Sequence, residues 1–235
     1  MISVVCPFFN EKENLEELYS RLIKAVGKLQ DDWEMIFVND GSQDGGGEYL
    51  RSLARDGRVG VIELDRNYGL TTALFAGLQA SRGEIVVTLD ADLQNPPEEI
   101  PRLVGLLGTT DMVTGIRRNR HDPWLRRISG KIANQIRRTV VGDHIEDVGC
   151  SLRVFRRAVL EAFYPYQGMH RFFPGVAEFH GFKVTQVPVE HHERRRGKAK
   201  YGLGNRIFGP LWDLFAVHWL VRRKIRYKIR STSVE

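Results

Sequence analysis

Two acidic residues separated by one position follow an apolar stretch of the chain. Asp90 and Asp92 come directly after residues 85–89, a run that is typical of a buried strand. A turn at the carboxyl end of a strand can bring both carboxylates near one point, and hard oxygen ligands suit Mg²⁺ or Mn²⁺. A metal ion held there keeps positions open for substrate phosphates. Because Asp-x-Asp is a common sequence, a solvated turn is the alternative.

Polar clusters also follow the three preceding apolar runs. They lie in the segments 5–11, 38–45 and 65–69, at the carboxyl ends of the runs at 2–8, 33–38 and 59–64. The carboxyl ends of parallel strands meet at one sheet edge, where α/β proteins bind ligands. An aspartate there can accept a hydrogen bond from a nucleotide base, and the ring of Phe9 can lie against it. The chain has no Gly-x-Gly-x-x-Gly motif and no P-loop, which disfavours dinucleotide cofactors and P-loop ATPases.

The elements that must position these residues alternate between strand and helix up to residue 115. Strand patterns occupy 2–8, 33–38, 59–64, 85–89 and 112–115, and helical spacing occupies 13–29, 46–55, 70–80 and 98–107. This alternation predicts a parallel sheet with right-handed crossovers. Further along, the pattern predicts helices at 125–141, 157–163 and 169–179, strands at 151–155 and 183–189, and a basic loop at 191–201. We therefore expect one α/β domain over residues 1–206, with a mostly parallel central sheet flanked by helices.

The remaining residues, 207–235, form an expected C-terminal appendage. Residues 207–221 are apolar and aromatic but include Asp213 and His218, and they fall short of the roughly 20 apolar residues that span a bilayer. Several apolar residues share one helical face, and basic residues follow at once, which favours an amphipathic, basic helix lying in a membrane interface. A core-packing helix with a solvated basic end is the alternative. The residues on that face are Phe208, Leu211, Trp212, Phe215 and Trp219.

Composition and charge limit the classes of function. The 235 residues are 42% apolar and 27% charged, which is typical of a folded protein and excludes intrinsic disorder, collagen and coiled coil. Residues 1–115 carry a net charge of −9 and residues 116–235 a net charge of +15. The acidic half suits a metal ion, and the basic half suits the phosphates of nucleic acid, lipid head groups or a phosphorylated substrate. Two cysteines give no disulfide framework, and the first residues lack a secretory signal pattern, so we expect a cytoplasmic location.

A basic cluster follows the predicted strand at 112–115. Arginine forks suit bidentate contacts with phosphate, and this cluster begins at a strand end, where the site is expected. A solvated basic face is the alternative. The cluster consists of Arg117, Arg118, Arg120, Arg126, Arg127 and Lys131.

As a set, these motifs resemble family 2 glycosyltransferases of the GT-A fold. The similarity is greatest to the branch that acts on polyprenyl phosphates, which includes dolichyl-phosphate mannose synthases. It covers about residues 2–206, and the matching segments are 7–11, 39–42, 66–69, 89–94, 149–157, 170–174 and 194–202. Two positions depart from the branch: Ala199 stands where serine is usual, and Asn39 where aspartate is frequent.

The resemblance implies roles for individual residues. The nucleotide base and ribose would be held by Pro7, Phe9, Glu11 and Asp40, and a divalent metal on the diphosphate by Asp90, Asp92 and Gln94. The acceptor phosphate would be held by Arg117, with Arg126 or Arg127 and Ser129. Arg194 and Lys200 would lie on a loop that closes over donor and acceptor. Asp147 is the carboxylate best placed in sequence to act as a base, and with a phosphate acceptor it would instead orient arginines or the sugar.

These observations predict an enzyme, an inverting glycosyltransferase dependent on Mg²⁺ or Mn²⁺. It would move a sugar from a nucleotide-diphosphate donor to undecaprenyl or dolichyl phosphate at the cytoplasmic face of the membrane, without nucleic acid. One alternative has a sugar or protein hydroxyl as acceptor. A nucleotidyltransferase is disfavoured because we find no triphosphate-binding loop. A non-catalytic basic module that binds nucleic acid or anionic membrane is the alternative from another class.

Overall fold

A computed structural model of the chain describes residues 1–53, 57–117, 134–135, 137–194 and 208–223. The strands within these residues are β1 (Ile2–Phe8), β2 (Trp33–Asn39), β3 (Val59–Glu63), β4 (Ile85–Thr88), β5 (Met112–Arg117), β6 (Arg153–Arg156) and β7 (Val184–Val189). The labelled α-helices within these residues are α1 (Lys12–Val26), α2 (Gly46–Leu53), α3 (Leu70–Ala80), α4 (Ile100–Gly105), α5 (Phe173–Phe179) and α6 (Phe208–Arg222). Residues 137–141 are also helical.

The strands form one mixed sheet in the order β3-β2-β1-β4-β6-β5-β7. Strand β6 runs antiparallel to both β4 and β5, and the other pairings are parallel. The predicted α/β architecture with a mostly parallel sheet is therefore confirmed. In the register of the sheet, Phe8 lies opposite Asn39 and Asn39 opposite Glu63. The polar clusters that follow β1, β2 and β3 consequently meet at one edge.

Apolar side chains cover both faces of the sheet. Strands β1 and β2 are buried along their whole length, as expected for central parallel strands. On one face they pack with Leu15, Leu18 and Leu22 of α1 in a first core. A second core joins β1 and β4 to residues of α3, α5 and α6, including Leu74, Phe173 and Leu214. The last helix thus packs against the body of the protein.

The helical segments around prolines are shorter than the pattern predicts. The helix expected at 98–107 consists of α4 between two 3-10 turns, Pro97–Glu99 and Leu106–Gly108. Pro101 has no backbone N–H and fits only the first turn of an α-helix, so α4 starts at Ile100. The helix expected at 169–179 likewise separates into the 3-10 turn Met169–Arg171 and α5, with Pro174 in the first turn of α5. Residues Arg157–Ala162 form a 3-10 helix.

Helix α6 has apolar side chains on two faces. Leu214 and Val217 are buried in the second core, at 5% and 1% exposure. Trp212, Phe215 and Trp219 are 75%, 61% and 58% exposed. The structure therefore combines a core-packing face with the exposed aromatic face that the sequence suggested. The side chains of Phe208 and Leu211 and the residues at 195–207 and 224–235 lie outside the described residues, so the boundary at residue 206 and the amphipathic basic tail stay predictions.

Within the described ranges, no helix has the length and apolar character needed to cross a bilayer.

Replacing a large side chain with alanine should destabilise the protein strongly on the buried face of α6 and only slightly on its exposed face. Leu214→Ala removes buried methyl groups from the second core and should lower the free energy of unfolding by about 3 kcal/mol. Phe215→Ala, one residue along on the exposed face, should change it by less than about 0.5 kcal/mol. Urea denaturation of the two variants measures the difference. Equal, small effects would mean that α6 does not pack on the domain.

Candidate active site

A cavity of about 220 Å³ lies where the carboxyl ends of β1, β2 and β4 meet. It brings together residues that the sequence analysis assigned to the donor, the metal and the closing loop. Those residues are Pro7, Phe9, Glu11, Asp40, Asp90, Asp92 and Arg194. The wall also includes Phe8, Asn67, Gly69, Leu70, Ala73 and Ala91. Asn67 and Gly69 belong to the polar cluster at 65–69, which the sequence predicts at this edge without a role for either residue.

Asp90 and Asp92 form an acidic pair after β4, and their negative charges repel each other. Burial and, to a lesser extent, the charge of Asp92 together raise the pKa of Asp90 to about 6, while the hydrogen bond with Ser151 and the charges of Arg153 and Arg117 oppose the shift. A divalent cation beside the pair would relieve this repulsion. Carboxylate oxygens are hard ligands, so the two side chains fit Mg²⁺ or Mn²⁺. Within the described part of the chain, no group of three or more His, Cys, Asp or Glu residues is arranged to hold a metal. A metal ion here would therefore take further ligands from phosphates and water, as Mg²⁺ usually does.

Gln94 connects the turn that follows β4, which carries Asp90 and Asp92, to His192 in the segment after β7. Its side-chain amide donates to the carbonyl of His192 over 3.3 Å, and the backbone N–H of His192 donates to the carbonyl of Gln94 over 2.8 Å. The backbone N–H of Gln94 also donates to Asp92 Oδ1 at 3.1 Å. These bonds place residues 190–194 beside the acidic pair. The predicted metal contact of Gln94 stays a prediction.

Arg194 forms ion pairs with two carboxylates of the cavity. Its Nη2 lies 2.7 Å from Asp92 Oδ2, and its Nη1 lies 3.3 Å from Glu11 Oε1. The other oxygen of Glu11 accepts a hydrogen bond of 2.6 Å from Asn14. Sequence reasoning placed Arg194 on a closing loop but gave no indication of these partners, because the pairs join residues far apart along the chain.

Asp40 fixes the turn that forms one wall of the cavity. Its carboxylate accepts hydrogen bonds from the backbone of Tyr68 and Gly69 and from the side chain of Asn67, at 2.7, 2.9 and 2.9 Å. Burial raises the pKa of Asp40, and the two backbone N–H groups oppose that shift. Gly41 has a φ of +70°, and a Cβ on it would collide with the backbone of Arg66. The close approach of the two turns therefore requires glycine at position 41.

Asp147 and Arg117 form a bidentate pair beside the acidic edge. The Asp147 oxygens lie 2.8 Å from Nε and 2.8 Å from Nη2 of Arg117, and they also accept from the backbone N–H groups of Arg117 and Gly149, both at 3.1 Å. An ionised carboxylate has about four acceptor sites, so this one is saturated. Burial lowers the pKa of the guanidinium, but the hydrogen bonds and charge of Asp147, with smaller contributions from Cys150 and Asp90, raise it above its ordinary value. Asp147 thus orients Arg117, one of the roles that the resemblance implied.

Two residues of the 149–157 motif support the acidic pair from below. The Ser151 hydroxyl accepts from the backbone N–H of Asp90 at 3.1 Å and from Asn95 at 2.9 Å. Arg153 is buried and donates to the carbonyls of His170 and Val148 at 2.7 and 3.0 Å. Its positive charge lowers the pKa of Asp90. Sequence reasoning noted the motif but assigned neither residue a function.

Four residues assigned to the acceptor phosphate or to the closing loop lie outside the described residues. They are Arg126, Arg127, Ser129 and Lys200. Their roles stay predictions.

Residues 3–163 match the family described as Glycosyl transferase family 2. This match covers more than half of the chain, including the sheet edge that carries the acidic residues. The protein belongs to glycosyl transferase family 2, as its motifs indicated.

Curated relatives extend the comparison over most of the chain. It is 42% identical over 218 residues to the undecaprenyl-phosphate 4-deoxy-4-formamido-L-arabinose transferase of Aeromonas hydrophila. It is 39% identical over 216 residues to the transferase of the same name from Edwardsiella ictaluri. Each alignment covers 91% of this chain and 66% of the relative. The chain thus spans just under two thirds of the length of these relatives.

Solved structures share the fold at lower sequence identity. The glucosyl-3-phosphoglycerate synthase of Mycobacterium tuberculosis in complex with phosphoglyceric acid superposes with a TM-score of 0.66 at 21% identity, covering 94% of this chain and 79% of that one. A complex of the same synthase with Mn²⁺, UDP-glucose and phosphoglyceric acid gives a TM-score of 0.64 at 20% identity and the same coverages. This likeness supports the GT-A fold.

Because the Asp147 carboxylate accepts four hydrogen bonds, replacing it with an uncharged amide should destabilise the protein. Asp147→Asn leaves the largely buried Arg117 without its counterion and should lower the free energy of unfolding by about 3 kcal/mol. Glu146→Gln, at the exposed neighbouring position, should change it by less than about 0.5 kcal/mol. Denaturant titration of both variants gives the comparison. If Asp147→Asn were as stable as Glu146→Gln, Asp147 would not be the residue that holds Arg117.

Proposed function

We propose that the protein transfers a sugar from a nucleotide-diphosphate sugar to a polyprenyl phosphate, with inversion at the anomeric carbon. The observation that carries the proposal is the 39–42% identity, over 91% of the chain, to relatives named as undecaprenyl-phosphate sugar transferases. The site geometry is in keeping with this activity. An acidic pair suited to a metal and its diphosphate lies near Arg117, whose guanidinium has five N–H donors, of which Asp147 accepts two.

The donor half of the proposal rests on the cavity at the sheet edge. Phe9 offers a ring for the base, and Glu11 lies at the same opening. Asp90 and Asp92, with Gln94, would hold Mg²⁺ or Mn²⁺, which neutralises the charge that develops on the leaving diphosphate. The related synthase of known structure contains Mn²⁺ and UDP-glucose, which supports a nucleotide sugar and a divalent metal here.

The acceptor half rests on Arg117 and the residues that hold it. A phosphate monoester has a second pKa of about 6, so it is largely dianionic at neutral pH. Its attacking oxygen therefore needs no general base to remove a proton. Arg117, with Arg126 or Arg127 and Ser129, would aim one phosphate oxygen at the anomeric carbon. That oxygen forms the new bond as the bond to the diphosphate breaks, and the electron pair leaves with the diphosphate. Arg194 and Lys200 would close over both substrates.

A hydroxyl acceptor is the second candidate, and Asp147 argues against it. Removing the proton of a hydroxyl needs a general base, which contributes about 10²–10⁴-fold. Asp147 is the carboxylate that sequence reasoning offered for this task. Its oxygens already accept four hydrogen bonds, two from the Arg117 side chain and two from backbone N–H groups. A carboxylate engaged in this way is poorly suited to take a proton, which favours an acceptor that needs none.

The proposal predicts metal-dependent formation of a lipid-linked sugar. The full chain is incubated with Mn²⁺, undecaprenyl phosphate and a panel of nucleotide sugars, and the lipid product is detected by mass spectrometry. We expect product with the phosphate but none with undecaprenol, and loss of most product with EDTA or in Asp92→Asn. Product with undecaprenol or with a sugar alcohol would favour the hydroxyl acceptor. No turnover of any nucleotide sugar would contradict the enzyme and favour a basic binding module.

We also propose that the protein works at the cytoplasmic face of the membrane, with α6 in the interface. Its exposed Trp212, Phe215 and Trp219 form a contiguous aromatic face on one helix. Exposed apolar patches of this kind mark interaction surfaces. Helix α6 ends at the exposed Arg222, and the exposed Arg223 comes next. Further along the sequence are Lys224, Arg226, Lys228 and Arg230. Each cation near an anionic membrane surface adds about 1 kcal/mol of attraction.

This surface predicts vesicle binding that depends on the aromatic face. Replacing Trp212 and Trp219 with serine should lower partitioning onto phosphatidylglycerol vesicles by at least about tenfold, because each buried aromatic ring contributes about 1.5–3 kcal/mol. The matched control is Leu106→Ser, another exposed apolar residue away from α6. Co-sedimentation measures the partitioning. Equal binding by the control and the double variant would remove α6 from the interface.

A further inference from the structure

We propose that Arg194 serves as a resident cation at the acidic site and competes with the divalent metal for Asp92. The consequence is that metal and nucleoside diphosphate bind cooperatively, each favouring the other. This inference rests on the proposed function, because it concerns the same metal and diphosphate. It assigns Arg194 a role before substrate arrives, in addition to the closing role that the resemblance implied.

The competition follows from the atoms that Arg194 occupies. Its Nη2 is 2.7 Å from Asp92 Oδ2, the kind of oxygen that a divalent metal takes as a ligand. Its Nη1 reaches Glu11 Oε1 at 3.3 Å, on another side of the same cavity. A guanidinium and a metal ion repel each other, and one carboxylate oxygen does not serve both at full strength. Metal binding therefore requires Arg194 to give up Asp92.

The position of Arg194 is set by the protein itself. Gln94 and His192 exchange two hydrogen bonds between the acidic turn and the segment that follows β7. At the end of β7, Arg102 donates to the carbonyl of Pro188 over 2.8 Å. The chain is thus anchored two residues before Arg194, directly beside Asp92. A short reach from this anchor suffices for the side chain to move between the carboxylates and a nearby phosphate.

The size of the cavity agrees with a site that Arg194 partly fills. Its volume of about 220 Å³ is smaller than the 300–1,000 Å³ that is usual for small-molecule sites. Arg194 forms part of its wall, and movement of that side chain would enlarge the opening between Glu11 and Asp92.

Metal and diphosphate bind cooperatively because the diphosphate gives the displaced Arg194 guanidinium a new partner. Without diphosphate, a metal ion that takes Asp92 leaves Arg194 with a weaker set of partners. A diphosphate offers the fork a bidentate anionic partner and brings its own oxygens to the metal. Diphosphate therefore lowers the cost of displacing Arg194, and by linkage the metal raises diphosphate affinity by the same factor. Removal of Arg194 should therefore weaken the coupling and leave only the part that comes from the phosphate oxygens on the metal.

The test measures Mn²⁺ binding to the full chain by the electron paramagnetic resonance signal of free Mn²⁺, with and without UDP. Without UDP, Arg194→Gln should bind Mn²⁺ about tenfold more tightly than the unchanged protein, because one charge-assisted hydrogen bond no longer competes. The factor by which UDP increases Mn²⁺ affinity should fall correspondingly. Arg194→Lys keeps the positive charge and should stay near the unchanged protein.

Arg82→Gln is the matched control. Arg82 pairs with Glu34 through contacts of 2.9 and 2.7 Å and lies near the amino ends of the strands, so its loss should leave Mn²⁺ binding unchanged.

The outcomes separate this inference from the proposed function. If the unchanged protein binds Mn²⁺ and UDP but Arg194→Gln binds Mn²⁺ no more tightly, Arg194 does not compete and the inference is wrong while the metal site stands. If Arg194→Gln gains affinity but UDP increases Mn²⁺ affinity as before, the proposed coupling is wrong. If the folded, unchanged protein binds no Mn²⁺ with or without UDP, both the inference and the metal-dependent function fail.

Discussion

The repulsion between Asp90 and Asp92 at a buried strand end is the constraint around which the site is built. Two carboxylates one residue apart, partly removed from water, need positive charge or hydrogen-bond donors nearby. The protein supplies both from distant parts of the chain. The charge of Arg153 acts on Asp90, the Ser151 hydroxyl accepts from the backbone N–H of Asp90, and Arg194 pairs with Asp92. These groups offset part of the negative charge of the pair.

The antiparallel strand β6 explains how these groups reach the pair. A parallel strand beside β4 would bring its carboxyl end to the ligand edge, whereas β6 brings its amino end, with Arg153 opposite Thr88. The residues just before β6 therefore lie at the same edge, among them Asp147 and Ser151. That placement explains why Asp147 meets Arg117 at the end of β5. One reversed strand thus joins the region expected to bind the donor to the region expected to bind the acceptor.

Much of this architecture follows from local sequence, and the departures have physical causes. Continuous apolar runs fix β1 and β2, and helical spacing fixes α3 at the residues predicted, 70–80. The polar clusters after the strands predict the cavity because parallel strands share one ligand edge. Ion-pair partners do not follow in this way, since Arg194 and Asp92 are 102 positions apart and meet only in the folded chain. The sequence also did not predict which face of α6 is buried, because apolar spacing alone does not distinguish a core face from an exposed one.

The central claim is that Asp90 and Asp92 hold a divalent metal on a nucleoside diphosphate and that Arg194 yields its place to that metal. A crystal structure of the full chain with Mn²⁺ and UDP, with anomalous data collected at the manganese edge, tests it most directly. We expect an anomalous peak beside Asp92 and the diphosphate, with the Arg194 guanidinium moved from Asp92 to a phosphate oxygen. A peak away from the acidic pair, or Arg194 still paired with Asp92 beside bound metal and UDP, would contradict it.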